Sequence, residues 1–318
     1  MLDYSKTAKE IEVTTNRMNS PGKLTFSCVE DDGNLIEPGS FVKLETDGVK
    51  IFCGYLFTCE QKKDKVVTYT AYDQLRYLKA NASYTFSNMS LSQIIQRIAN
   101  DFGLKTGKLE ETGYVFPCLI KENTSCLDMI FDALSQTIIQ TGVIYLFFDY
   151  GGELTLIEAK KLFLNSMLGD RSLVTDYTYV RDINSDTYNR VKLVKKNESS
   201  GRTDVYIHED NDTIKKWGVL QYYDEVDKSL NDAQIDEMCQ AYLKYYNRVL
   251  QTLTLEAIGL AAIRAGCIIP IRLSDVKVLS TMRFLLAEKV THKFDGGDHT
   301  MSIEVKSFEQ LGGDFFNE

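Results

Sequence analysis

The sequence predicts an α+β protein that is mostly β, with two similar small antiparallel β-barrels and α+β insertions. Short runs rich in Val, Ile, Phe and Tyr, separated by turn residues, occur near both ends of the chain. Helical periodicity is confined to stretches between them. The chain has 318 residues, 44% of them hydrophobic and 25% charged. This composition excludes a disordered chain, and the length predicts two or three domains.

Shifts in periodicity along the chain predict four parts. We expect a first β-barrel in residues 1–82 and an α+β domain in residues 83–165. A second β-barrel is expected from residues 166–198 together with 247–318. Residues 199–246 would form a segment with a helix, inserted into that second barrel.

The first barrel is predicted from three strands, at residues 39–45, 50–60 and 65–72. A Thr-Asp-Gly turn at residues 46–48 separates the first strand from the second. The second and third strands are joined by a charged hairpin tip formed by Gln61, Lys62, Lys63 and Asp64.

Three helices are predicted from apolar residues at helical spacing, at residues 91–102, 124–140 and 231–248. A hairpin at residues 143–148 and 154–159 follows the second helix. The expected helix ends are Ser90 and Gly103, then Ser125 with Asp128 and Gly142, then Asn231 with Gln234.

The second barrel is predicted from strands at residues 190–195, 249–258, 267–273, 283–294 and 299–308. The last three strands repeat the order seen near the N-terminus: a strand, a second strand, a tip and a third strand, at similar spacing. We interpret this as duplication of one barrel unit. Chance similarity is the alternative, because three-stranded meanders are common.

Charge and cysteine content exclude several classes of protein. The net charge of −9 disfavours stable nucleic-acid binding, which needs a basic footprint. No apolar run reaches 18 residues and the start lacks the pattern of a signal peptide, so we expect no membrane insertion. The seven cysteines form no CxxC pair, which predicts buried free thiols in a reducing compartment.

Motifs for catalysis or metal binding are absent from the sequence. No GxSxG, GxxxxGK[ST], HExxH or GxGxxG occurs. His292 and His299 flank an Asp-Gly-Gly-Asp run at residues 295–298, which predicts a hairpin turn rather than a metal site. The acidic run after His208 predicts a solvated turn, and Trp217 is expected in the core rather than at a partner contact. We therefore predict no catalytic residues, no metal and no cofactor.

Four strings resemble one family. They are residues 51–55 (Ile-Phe-Cys-Gly-Tyr), 70–78 (Thr-Ala-Tyr-Asp-Gln-Leu-Arg-Tyr-Leu), 217–223 (Trp-Gly-Val-Leu-Gln-Tyr-Tyr) and 292–301 (His-Lys-Phe-Asp-Gly-Gly-Asp-His-Thr-Met). In their order and spacing they resemble the XkdQ/YqbQ family of phage tail proteins, over essentially the whole chain. The second string is fairly specific and the others are individually weak. More distantly, the family resembles the late-control protein D group and the base of VgrG spikes.

The resemblance implies a non-enzymatic central baseplate hub of a contractile phage tail or phage-tail-like bacteriocin. Three chains with two barrels each would form a homotrimeric ring that joins the sixfold tail tube to the threefold spike. The implied partners are the tail tube, central spike, baseplate wedge and tape measure proteins. The implied location is the bacterial cytoplasm during assembly and then the tail baseplate. The alternatives are a tail-associated peptidoglycan hydrolase and a peripheral receptor-binding baseplate protein.

The two hairpin tips are the sequence's candidate interface residues. They consist of Gln61, Lys62, Lys63 and Asp64 in the first predicted barrel, and of Asp295, Gly296, Gly297 and Asp298 in the second. Because the tips occupy corresponding places, we expect both to contact the same neighbouring ring. The alternative, held equally, is that they are free solvated turns.

Overall fold

The computed structural model describes residues 3–29, 35–63, 65–170, 172–197, 202–226, 228 and 230–306. These residues form nineteen β-strands and four α-helices, which confirms the predicted α+β class with mostly β-structure. Among them, no helix has both the length and the apolar character that a membrane span requires. The chain divides into a larger compact unit, residues 1–178 and 253–306, and a smaller one whose described part lies in residues 179–252.

The first strand set lies at the N-terminus and consists of β1 (Lys9–Asn16), β2 (Lys23–Val29), β3 (Phe41–Thr46), β4 (Val49–Gln61) and β5 (Val66–Tyr72). Its strands are antiparallel and lie in the order β1-β2-β5-β4-β3. Alternation in β5 buries Val67, Tyr69 and Ala71. Asp47 and Gly48 have φ angles of 51° and 75°, as a two-residue hairpin turn requires. The three predicted strands and this turn are confirmed.

The middle of the chain adds two helices and two small sheets. Its elements are β6 (Asn81–Ser90), α1 (Leu91–Asp101), β7 (Thr106–Leu109), β8 (Val115–Ser125), α2 (Cys126–Thr141), β9 (Tyr145–Asp149) and β10 (Leu154–Glu158). A 3-10 helix, Gln74–Lys79, connects the first strand set to β6. β6 pairs with β8, and the other sheet has the order β7-β10-β9. Both helices and the predicted hairpin are confirmed, whereas the β6–β8 pair was not predicted.

Helix ends in this region follow the predicted capping residues. Ser90 accepts the Gln93 backbone N–H, and the Gln93 side chain accepts the Ser90 N–H, which completes a capping box. Ser125 accepts the Asp128 N–H, but its hydroxyl donates to the Asp128 carboxylate, so only half of the predicted box forms. Gly142 ends α2 in the left-handed conformation with a φ of 68°.

β11 (Leu168–Gly169) precedes the smaller unit, and β12 (Val174–Asp182) begins in the larger unit and ends in the smaller one. Its elements are β13 (Arg190–Asn197), β14 (Arg202–Glu209), α3 (Asn211–Trp217), β15 (Gln221–Glu225) and α4 (Asp232–Tyr246). The sheet order is β14-β13-β15, and Val191 and Leu193 of β13 pack with Ile235 of α4. The predicted domain bounds place β13 in the second barrel, within residues 166–198. In the structure, β13 instead pairs with β14 and β15 and buries its apolar face against α4.

Two local features of the smaller unit also differ from prediction. The acidic run after His208 is partly helical, because the Asp210 carboxylate accepts the N–H groups of Asp212 and Thr213 and so caps α3. Trp217 ends that helix half-buried, whereas we expected a core position. The third predicted helix is confirmed as α4, whose capping residues are Asn231 and Gln234.

The second strand set consists of β12 together with β16 (Leu250–Ile258), β17 (Ile268–Arg272), β18 (Arg283–Asp295) and β19 (Asp298–Lys306). The pairings give the order β12-β16-β19-β18-β17. This is the order of the first strand set, β1-β2-β5-β4-β3, position by position. β11 also pairs with β17, in parallel, and is an extra strand that is not part of the repeated five-strand order. The same connection pattern therefore occurs twice, which supports the duplication, while the closing of each set into a barrel stays a prediction.

The two strand sets are joined in one eleven-stranded sheet by the pairing of β1 with β18. The pairing is antiparallel and runs from Ile11 opposite Phe294 to Asn16 opposite Lys289. The Thr14 and Thr291 hydroxyls lie 3.1 Å apart, and Arg17 Nε lies 2.9 Å from a Glu288 carboxylate oxygen. Strands about 280 positions apart in sequence thus form the central joint of the larger unit.

The cysteines are free thiols, as predicted. Cys28, Cys53, Cys126, Cys239 and Cys267 are buried. Cys59 is half-buried and Cys118 is exposed, so two of the seven do not fit the prediction of core positions.

Candidate functional site

The first hairpin tip joins β4 to β5. Gln61, Lys62 and Lys63 are exposed, while Asp64 lies outside the described residues. The Lys62 N–H donates to the Val66 carbonyl at 2.9 Å, which closes the base of the tip. The tip therefore presents two lysine side chains at the end of a fixed hairpin.

The second hairpin tip joins β18 to β19. Asp295 pairs with Asp298, and Gly296 and Gly297 between them have φ angles of 58° and 99°. Positive φ angles at both central positions define a tight two-residue turn, which only residues such as glycine adopt without strain. The turn predicted for residues 295–298 is confirmed.

The sheet brings the two tips to the same end of its strands. Each neighbouring pair from β18 through β1, β2 and β5 to β4 is antiparallel. Four reversals of direction leave β4 and β18 parallel to each other, so their C-terminal ends and the two tips lie at the same end of the sheet's strands. Whether that side contacts another protein stays a prediction, but the geometry allows one partner to contact both tips.

A histidine pair supports the second tip from inside. The buried His292 lies with Nε2 2.7 Å from the Ile263 carbonyl oxygen and Nδ1 3.0 Å from His299 Nε2. Because the carbonyl oxygen only accepts, His292 Nε2 carries the proton and Nδ1 accepts from His299. Burial lowers the pKa of His292 to about 4, and it also lowers the pKa of His299.

This arrangement explains why the two histidines do not resemble a metal site. Both ring nitrogens of His292 already take part in hydrogen bonds, and Phe294 stacks on His299 with ring centroids 4.1 Å apart. No group of three or more metal-ligating side chains occurs in the part of the chain that the structure describes.

A buried polar junction, formed by Asp73, Gln74, Asp149 and Arg264, was not predicted. The Asp73 carboxylate accepts the Gly22 N–H at 2.7 Å and the Leu75 N–H at 3.0 Å. It thereby ties β2 to the start of the 3-10 helix that follows β5. A side chain at Gly22 would collide with it, because a Cβ there would lie 2.6 Å from the Asp73 Oδ2.

Gln74 extends the junction to the β9–β10 hairpin. Its side-chain nitrogen donates to the Asp149 carboxylate at 3.1 Å and to the Gly152 carbonyl at 2.5 Å. Its side-chain oxygen accepts the Lys105 N–H at 3.0 Å. One amide side chain therefore satisfies three partners from two loops, which fixes the α+β region against the first strand set.

Arg264 completes the junction from the second strand set. Its Nη1 donates to the Asp149 backbone carbonyl at 3.0 Å, and its guanidinium lies 3.8 Å from the centre of the Phe148 ring. Burial lowers the pKa of Arg264, whereas burial and the charge of Asp149 raise the pKa of Asp73 well above its ordinary value. Burial also raises the pKa of Asp149. The junction thus joins three regions of the larger unit in a setting of low polarity.

The sequence contained one sign of this junction. Asp73 and Gln74 interrupt the apolar positions of the string at residues 70–78, on which the family resemblance chiefly rested. Asp149 and Arg264 lie in unremarkable turn and loop segments. Their convergence depends on contacts between residues 75 to 191 positions apart, which no local pattern encodes.

Comparisons with known proteins agree with the resemblance seen in the sequence. The chain is 32% identical to the uncharacterized protein YqbQ of Bacillus subtilis (strain 168), over 93% of this chain and 91% of that protein. It is 29% identical to the phage-like element PBSX protein XkdQ of the same organism, over 94% of this chain and 92% of that protein.

Among solved structures, the fold is similar to that of the 43 kDa tail protein of prophage MuSo2 from Shewanella oneidensis. The TM-score is 0.67 at 14% identity, over 93% of each chain. The profile of one family, described as YqbQ-like, matches residues 11–306. The chain therefore belongs to the YqbQ-like family.

Proposed function

We propose that this chain is a structural protein of a phage-type tail and, more specifically, its central baseplate hub. The doubled five-strand pattern within one chain is the observation that carries the proposal. A relative named as a protein of a phage-like element and a fold shared with a prophage tail protein support the tail role.

The doubled pattern fits an adaptor between two symmetries. Three chains with two equivalent strand sets each present six similar positions around a ring, which matches a sixfold tail tube. The same three chains present threefold symmetry to a spike. Closed rings of identical subunits are the common outcome of head-to-tail interfaces whose rotation closes. The particle is a contractile phage tail or a phage-tail-like bacteriocin.

The continuous sheet suits a mechanical role. The β1–β18 ladder joins the two strand sets through backbone hydrogen bonds, and the Asp73–Arg264 junction ties the α+β region to both. A load applied at one strand set is shared along these bonds. In the assembled particle the partners are the tube, spike, wedge and tape measure proteins. The chain joins them in the bacterial cytoplasm, where the particle assembles.

The two hairpin tips are the proposed contacts with the neighbouring ring of the tube. They lie at the same end of the sheet, and the first presents Lys62 and Lys63 to solvent. A ring surface with acidic groups at matching positions would pair with these lysines, because complementary charges set the orientation of docking.

A peptidoglycan hydrolase is the second candidate, and the buried acids Asp73 and Asp149 are what favour it. Carboxyl groups with raised pKa values are typical of general acids. Here both carboxylates accept hydrogen bonds that hold backbone turns, from Gly22 and Leu75 and from Gly152. We infer that they act in structure rather than in catalysis, and that the hub functions without an enzymatic step.

Imaging of labelled particles tests the proposal. Tail particles from a strain that carries a C-terminal tag on the chain are examined by electron microscopy with a tag-specific label. We expect label on the tail axis at the baseplate end, with short or absent tails in the deletion strain. Label at the baseplate periphery would favour a receptor-binding role, and intact particles without the protein would contradict the structural role.

A further inference from the structure

The two strand sets differ in how much of their long central strand is covered. β4 pairs with β3 up to Tyr55 and with β5 from Tyr55 onward. β18 changes partner in the same way, from β17 to β19, between Leu286 and Ala287. Each strand has a bulge at this change, between Leu56 and Thr58 in β4 and between Ala287 and Lys289 in β18. β4 and β18 are therefore equivalent strands with the same partner change.

The equivalence can be written residue by residue from the bulges. Lys62 and Lys293 both lie six positions beyond the residue that starts the bulge, Leu56 in one strand and Ala287 in the other. Beyond its bulge, β18 also pairs with β1 along its other edge, from Lys289 to Phe294. Of the corresponding residues 58–63, Thr58–Gln61 belong to β4 and pair with β5, and Lys62 and Lys63 follow directly in the turn. These residues have no equivalent of β1 among the described strands.

Burial reflects this difference. Val290, Thr291 and His292 of β18 are buried beneath the joint with β1. Of the corresponding residues of β4, Cys59 is half-buried and Glu60 and Gln61 are exposed. The strands on the other side of the joint differ in the same way. β1 buries Val13 and Thr15, and β12, which holds the same place in the second strand set, has no buried residue. β12 also ends the sheet path in the described part of the chain.

We propose that β12 of one copy of this chain pairs antiparallel with the end of β4 in the next copy, residues 58–61 and the adjoining Lys62 and Lys63. This pairing would repeat between chains the β1–β18 joint found within each chain. A strand at the end of a sheet presents a template for such pairing. The occupant is a second copy, because the chain already forms this joint once with the equivalent strands. Closure into three chains rests on the proposed ring.

Charges agree with this pairing. In the internal joint, Glu12 of β1 lies opposite Lys293, with its carboxylate 3.9 Å from the ammonium group. An antiparallel β12 oriented like β1 brings its N-terminal part, which carries the exposed Asp176, toward the tip end of β4, which carries Lys62 and Lys63. An acid would then again oppose the lysine that follows the bulge, as opposite charges do in stable cross-strand pairs.

The pairing also gives a definite partner to the strand edge that leads to the first hairpin tip, apart from the contact proposed for the tip itself. Lysines on a strand edge discourage pairing with arbitrary strands, because burying an unpaired ammonium group is unfavourable. An edge that carries Asp176 compensates this cost, so the same residues select for a copy of this chain. The strand edge beside the second tip needs no such partner, since β1 already pairs with it.

Mixed cysteine cross-linking of the full chain tests the proposal. One variant carries Asp176→Cys. The other carries Lys62→Cys or Glu60→Cys, so that the test allows for a two-residue difference in the register between β12 and β4. Both are made in a background in which Cys59 and Cys118, the native cysteines that are not buried, are serine. The matched control is Lys293→Cys, at the equivalent position with its edge already paired and its side chain 61% exposed. Equimolar mixtures are oxidised and separated on a non-reducing gel.

We expect a disulfide-linked dimer of Asp176→Cys with Lys62→Cys or Glu60→Cys, at least tenfold more abundant than with Lys293→Cys or with either variant alone. Sedimentation velocity of the unmodified chain separates the failures. The strand pairing would be overturned if the chain self-associates but the disulfide-linked dimer does not form, or if Lys293→Cys gives the same yield of dimer. Either result would leave the ring proposal standing. A chain that stays monomeric at all concentrations and whose label is peripheral in particles would overturn both.

Discussion

The two strand sets have the same strand order, yet they differ in what stabilises the long strand at the centre of each. In the second set β1 covers β18 and buries His292, whereas in the first set the matching residue Gln61 of β4 is exposed. The first set is instead held at its other end, where Asp73 after β5 binds backbone groups. The comparison teaches that one connection pattern can be stabilised by a neighbouring strand or by a buried polar junction.

The largest loss of stability is expected from a substitution at the joint between the two strand sets. Val13 of β1 is fully buried, so Val13→Asp would place a charge without a partner beneath the β1–β18 pair. We expect a loss of at least about 4 kcal/mol in the free energy of unfolding, measured by urea denaturation. The control is Thr178→Asp on the exposed β12, where we expect a change within about 0.5 kcal/mol. Similar losses in both variants would show that β1 and β12 are equally covered.

The buried His292 should make the stability of the second strand set depend on pH. Burial lowers the folded-state pKa of His292 from 6.5 to about 4, so the unfolded chain binds more protons in that range. The stability that His292 contributes is therefore complete above pH 6.5 and is lost as pH falls toward 4, by about 3 kcal/mol. Denaturation across this range should show a shallower loss for His292→Gln, and an unchanged slope would contradict the prediction.

The contribution of the buried Asp73 to stability depends on pH in the opposite direction. The folded-state pKa of Asp73 lies well above its ordinary value of 3.8, so its contribution is complete below pH 3.8 and is lost as pH rises through the folded pKa. Asp73→Ala leaves the N–H groups of Gly22 and Leu75 without their acceptor, and we expect a cost of about 2 kcal/mol at pH 4. The cost should shrink at higher pH.

Substitutions of Asp73 test both this pH dependence and the choice between the two candidate functions. Denaturation at pH 4 and pH 8 gives the change in cost, and a cost that grows with pH would contradict the assigned direction. Asp73→Asn in particles then tests catalysis. If the chain is a structural hub, particles that carry Asp73→Asn should lyse purified cell walls to the same extent as unmodified particles. Normal assembly of the particles with a loss of that lytic activity would support the hydrolase.

The smallest effect on stability is expected at the two tips. We combine Lys62→Glu and Lys63→Glu with Asp295→Lys and Asp298→Lys, which reverses the charge of both tips. Exposed charges contribute little, so the free energy of unfolding should change by less than about 0.5 kcal/mol. Attachment of the tube should nevertheless be blocked, as seen by electron microscopy. The control is reversal of Lys215 and Lys216, and normal tails in the tip variant would contradict the tip contact.

Much of the secondary structure was predictable because its causes are local. The caps at Ser90 and Asn231, the left-handed Gly142 and the turn at Asp47 each depend on residues within a few positions. The helix α3 was missed because it is short and none of its residues is buried, so it has no apolar periodicity. The β6–β8 pair was missed because polar residues predominate along β6.

Local patterns in the sequence were sufficient to predict the fold class, a repeat of three strands and the positions of both hairpin tips, because turn chemistry and alternation act over a few residues. The pairing of β1 with β18 became visible only in the folded chain, as did the meeting of Asp73, Gln74, Asp149 and Arg264 in one buried junction. The physical reason is that strand partners are selected by packing over the whole sheet. A polar side chain buried far from its partners in sequence leaves no periodic pattern.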